Sequence, residues 1–80
     1  MPYVKEFNRK TLADGAPIIG PGELNYMLTL LIKRYWINSP QNYQIINDIL
    51  GALGGAEQEF YRRIVVPYEE NKIKENGDVY

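Results

Sequence analysis

Eighty residues carrying nine Lys and Arg against ten Asp and Glu describe one small domain without the basic excess of a nucleic-acid binder. The chain has no cysteine and no histidine, which excludes disulfides, thiolate metal sites and an imidazole general base. No apolar run reaches the ~18 residues of a membrane span, and the start Met1-Pro2-Tyr3-Val4-Lys5 lacks a signal-peptide core, so the expected setting is intracellular, away from the membrane.

A chain this short buries only ~60–65% of its unfolded surface. Small domains add staples to compensate, and with disulfides excluded, association of copies is the staple best supported. Residues 1–20 read as an irregular N-terminal arm, punctuated by Pro2, Asp14-Gly15, Pro17 and Gly20-Pro21-Gly22. Tyr3, Val4, Phe7 and Leu12 are its scattered apolar anchors, either strapped across a helix or frayed.

The spacing predicts a first helix over residues 21–37. Gly20 is a tolerable N-cap, Pro21 suits the first helical position, and Glu23 in the first turn suits the dipole. Leu24, Met27, Leu28, Leu31, Ile32 and Tyr35 form one apolar stripe. Tyr26, Leu30 and Ile37 form a second, narrower line, which a helix packed on one side does not need. A turn follows, in which Ser39-Pro40 and Asn42 each offer a cap. The second helix covers residues 43–66, with Ile45, Ile46, Ile49, Leu50, Leu53, Ala56, Phe60 and Ile64 on its stripe. Facing the two stripes gives an αα-hairpin.

Pro67 cannot donate to the carbonyl of Arg63 and disfavours helical angles at Val66, so a kink or short break is expected there. A short helix over residues 67–76 follows, supported by Glu69 with Lys72 and Glu70 with Lys74. Asn76-Gly77 is its stop.

Three constellations carry the functional reading. Gly51, Gly54 and Gly55 share a face with Gln58 and Arg62, away from the Ile/Leu stripe. Each glycine inside a helix costs ~1 kcal/mol relative to alanine, which either close approach of another backbone or local flexibility would explain. Arg62 and Arg63, beside Tyr61 and within reach of Glu59, are either an anion grip or a solvated ion-pair face. Seven tyrosines and Trp36 make the chain rich in residues that favour interfaces. The carboxylates Glu57/Glu59 and Glu69/Glu70 are too close in sequence to face each other on a helix. No P-loop, dinucleotide fingerprint, nucleophile elbow, zinc spacing or EF-hand occurs. The chain reads as no enzyme, with no cofactor and no metal site.

Met1-Pro2-Tyr3-Val4-Lys5, Gly22-Glu23-Leu24-Asn25-Tyr26, Glu59-Phe60-Tyr61-Arg62-Arg63, Pro67-Tyr68-Glu69 and Glu75-Asn76-Gly77-Asp78-Val79 occur together and in order. This set resembles a family of small proteins of unknown function encoded by tailed phages and prophages. The resemblance covers almost the whole chain and implies a provenance but no activity. It also implies larger residues where Gly54 and Gly55 lie. Within those motifs, the kink at Pro67 is expected to bring Tyr68 and Glu69 to Arg62, Arg63 or the N-terminal arm, as a polar cluster.

The expected fold is all-α: an antiparallel helical hairpin with an irregular N-terminal arm and a Pro-kinked C-terminal helix, assembled into an oligomer. Its expected function is that of a non-enzymatic phage accessory protein, a homo-oligomeric interaction module acting on a host or phage protein in the cytoplasm of an infected cell. One alternative is a counter-defence protein sequestering a nucleotide or other phosphate-bearing ligand. A second is a nucleic-acid-associated replication accessory using Lys5, Arg9 and Lys10, against which the charge balance counts. Candidate binding residues are Tyr61, Arg62, Arg63, Tyr68 and Glu69. Candidate oligomer-interface residues are Tyr26, Leu30, Gly51, Gly54, Gly55 and Gln58.

Overall fold

The computed structural model describes residues 4–80, so Met1, Pro2 and the expected anchor Tyr3 lie outside the described residues. The described residues are helical and contain no strand. In chain order they form α1 (Glu6–Ala13), α2 (Gly20–Ile37), α3 (Tyr43–Phe60), a π-helical segment (Tyr61–Val65) and α4 (Val66–Asn76). The chain divides into two compact units, Met1–Ile45 and Ile46–Tyr80.

In the first unit, the arm expected to be irregular contains α1. Its sequence, EFNRKTLA, places Glu6 in the first turn and Lys10 in the last, each on the side of the dipole that suits its charge. Its end is a Schellman stop. Gly15, at φ +100°, donates to the carbonyl of Leu12, and Ala16 donates to that of Thr11. Glycine adopts that φ without the Cβ penalty other residues meet. Val4 and Leu12 are each 3% exposed and are the buried hydrophobics among the described residues. Phe7, by contrast, is exposed: it sits about 100° around the helix from the Val4–Leu12 side, so one face cannot hold all three. Arg9 turns inward, its Nε donating to the Val4 carbonyl at 2.9 Å, which ties one of the expected arm cations into the fold.

α1 touches α2. The cap of α2 is Ile19 rather than Gly20. Glu23 reaches back so that its Oε1 accepts the Ile19 N–H at 2.9 Å, satisfying a donor that the helix start would otherwise leave open. At the other end, the two polar side chains of the turn divide the work. Ser39 Oγ donates to the Tyr35 carbonyl at 2.6 Å and closes α2. Asn42 Oδ1 accepts the Ile45 N–H at 3.1 Å and opens α3. Between them Gln41 has φ +57°, a left-handed conformation that costs a non-glycine residue roughly 1–2 kcal/mol.

Pro67 neither kinks nor breaks the helix. Helical angles run straight through it: Val66, expected in an extended conformation, has φ −60° and ψ −51°. The turn before it widens instead. The Val66 N–H donates to the carbonyl of Tyr61, five residues back, so Tyr61–Val65 is π-helical. The wider turn gives the pyrrolidine ring the room that an α-turn would deny it at the carbonyl of Arg63. α4 then runs to Gly77, at φ +82°, whose N–H donates to the Ile73 carbonyl at 2.8 Å.

Two outcomes follow from these local devices. Asn42→Ala removes the acceptor at the start of α3 and should destabilise the chain by about 1 kcal/mol, with Asn42→Asp retaining most of it, in urea unfolding followed by circular dichroism. Pro67→Ala restores an amide donor, so the π-turn should tighten to an α-turn. The variant should gain about 1–3 kcal/mol, and hydrogen exchange should find a protected amide at position 67.

Candidate functional site

The best-defined polar cluster sits where α3 passes into the π-segment. Glu59 lies one helical turn before both arginines, so a single carboxylate can reach either guanidinium. It holds both through one oxygen: Arg62 Nη2 is 2.6 Å and Arg63 Nε 3.3 Å from Glu59 Oε2. The three side chains remain open to solvent, 74% exposed at Arg62, 73% at Arg63 and 48% at Glu59. At that exposure each ion pair contributes at most about 1 kcal/mol, and less as salt rises. What the arrangement does is hold two guanidiniums side by side with one positive charge in excess. Tyr61 and Arg62 also line an open surface groove with Glu57 and Gln58.

Tyr68 and Glu69 are used differently from the expected cluster. Arg62 and Arg63 are engaged with Glu59, while Tyr68 lies one turn into α4 with Lys72 Nζ 5.6 Å from its ring centroid. That distance is a cation–π contact, modest at an exposed site. With the Tyr68 ring behind it, Lys72 reaches forward to Glu75 at 3.2 Å rather than back to Glu69. The unbroken helix explains the difference, since only a sharp bend at Pro67 would fold Tyr68 and Glu69 back over the arginines.

The candidate interface residues fall in both units. In the first, Tyr26 and Leu30 are half buried, following one face of α2 with Glu23 and Met27. The broad stripe of α2 is the more open one: Leu24, Leu28, Leu31 and Tyr35 are all exposed. In the second, Gly51, Gly54 and Gly55 have open space where a Cβ would stand. No neighbour within the chain requires glycine at these three positions. Gln58 lies on the same face and is exposed.

Sequence reasoning did not single out Glu57 or the π-segment. Pro67 is the signal for the second, because a proline six residues into a strong helical pattern forces either a break or a widened turn. Glu57 stands out once the apolar spacing of α3 is followed position by position. Among the described residues, no group of three or more carboxylates is placed to hold a metal ion. No helix among them is long and apolar enough to cross a membrane.

No curated protein and no solved structure matches the chain. One family does, a domain of unknown function matched over residues 1–79. The ordered motifs from Val4-Lys5 to Asp78-Val79 thus lie within one conserved unit, and the chain belongs to the DUF6899 family of domains of unknown function.

Proposed function

We propose that this chain is a non-enzymatic, homo-oligomeric protein-interaction module. In this reading α2 and α3 close as an antiparallel helical hairpin, and copies share the apolar surface that remains. The observation that supports it is the state of the two stripes. Leu24, Leu28, Leu31 and Tyr35 on α2, and Ile46, Leu50, Leu53, Phe60 and Ile64 further along, are all exposed in the single chain. Contiguous apolar surface of this kind marks an interaction site. The open glycine ridge gives second support, because three helix-weakening residues stand there with no use inside the chain. The reading keeps the tailed-phage or prophage source implied by the sequence resemblance, and with it the cytoplasm of an infected cell and a host or phage protein as target.

A second reading rests on the arginine pair. Two exposed guanidiniums held by one carboxylate, beside an open groove with Tyr61, suit a phosphate-bearing ligand such as a signalling nucleotide. A thermal-shift screen with cyclic mono- and dinucleotides tests it. Stabilisation that is lost in Arg62→Ala supports it, and a flat response across the panel removes it.

Multi-angle light scattering tests the first reading. The expected result is a mass above one chain at micromolar concentration, and a monomer there overturns it. Gly51→Ala, Gly54→Ala and Gly55→Ala add a probe of the ridge. Each should raise the helicity of the isolated chain, by about 1 kcal/mol. If the ridge is where copies approach, each should also lower the association constant.

A further inference from the structure

We infer that two copies pair through one seam of α3, running antiparallel to each other. The inference rests on the oligomeric reading above and names its partner, its face and its direction.

The seam is Ile46, Leu50, Leu53, Glu57, Phe60 and Ile64. These positions are spaced four, three, four, three and four apart, the alternation that keeps a line of side chains facing a neighbouring helix. Five of the six are large hydrophobics, and all five are exposed: Ile46 41%, Leu50 62%, Leu53 37%, Phe60 61% and Ile64 56%. The line continues into the π-segment at Ile64 and is about 27 Å long at the helical rise. A second lane, Ile45, Ile49 and Ala56, runs beside it. Its two isoleucines are half buried, and it is the lane left for the hairpin partner α2. A helix with two apolar lanes needs two neighbours.

Surface area favours a second copy as the other neighbour. The chain leaves 6963 Å² accessible, where a folded monomer of its mass leaves about 5,000 Å². The excess of about 2,000 Å² is more than the roughly 800 Å² per partner that a stable interface buries.

Glu57 sets the direction. In a parallel pair in register, Glu57 would meet its own copy inside the seam, two like charges withdrawn from water. An antiparallel pair centred on Gly55 separates them. Ile46 then faces Ile64, Leu50 faces Phe60, and Leu53 faces Glu57, while the carboxylate stays at the edge. The same direction opposes the helix dipoles. It also keeps Arg62 and Arg63 away from their own copies.

The chain has no cysteine, so engineered ones report cleanly. The full-length protein, Leu50→Lys and Glu57→Leu would be compared by sedimentation, with helicity followed by circular dichroism. Leu53→Cys and Glu57→Cys would be oxidised separately and as a mixture. The expected results are a wild-type dimer, a helical monomer for Leu50→Lys, and at least roughly tenfold tighter association for Glu57→Leu. The mixture should crosslink well beyond either cysteine variant alone, because only Leu53 and Glu57 of opposite chains come within disulfide reach. A wild-type monomer overturns the oligomeric reading itself. An oligomer that persists in Leu50→Lys, with association unchanged in Glu57→Leu, overturns the seam. Each cysteine variant crosslinking to itself as readily as in the mixture overturns the antiparallel direction. Should Leu50→Lys lose its helicity, Glu57→Leu and the cysteine pair still decide.

Discussion

An α-helix satisfies its backbone hydrogen bonds within itself, and that constraint governs this chain. All of its regular structure can form without burying a single apolar side chain. Sheets must find partners for their edges; helices need partners only for their stripes. Here the helices are complete while the stripes are mostly open, with Val4 and Leu12 alone buried among the described hydrophobics. Fully burying one Leu, Ile or Phe contributes about 1.5–3 kcal/mol. The stability available to this sequence therefore lies largely in side chains that the single chain leaves in water. For such a molecule, the search for function becomes a search for what covers those side chains.

The polar features are local. Glu23 over the start of α2, Ser39 at its end, Asn42 at the start of α3 and Glu59 on its two arginines all act within four residues of their partners. They fix where helices begin and end and which way nearby side chains lean. They do not assemble an enclosed site, because that takes groups brought from distant parts of a chain. The arginine pair is accordingly an exposed, preorganised feature of one helix, suited to meeting something from outside.

How much could be read in the sequence follows the same division. Helical periodicity and the caps are properties of neighbouring residues, so the helical class, the Pro21–Glu23 start and the Glu59–Arg62–Arg63 spacing were all legible. α1 was not, because Val4 and Leu12 lie eight residues apart and leave too thin a stripe to see. Its better signal was the Asp14-Gly15 stop, with Glu6 and Lys10 placed to suit the dipole. Pro67 was read as a breaker because its missing N–H and bulky ring usually make it one. A helix has a second answer, to widen one turn, and which answer wins depends on whether both flanking segments are strong helices in their own right. The use of Tyr68 and Glu69 was misjudged for the same reason, since it assumed the bend.

The π-turn also has a mechanical side. Because Pro67 brings no donor, one carbonyl of the preceding turn lacks its partner along the axis, so the long rod from Tyr43 to Asn76 is not uniformly stiff. Under a sideways load it yields at Tyr61–Val65 first, as a beam does at its notch. Whatever grips α4 can therefore swing it without disturbing α3, and the arginines sit at the pivot.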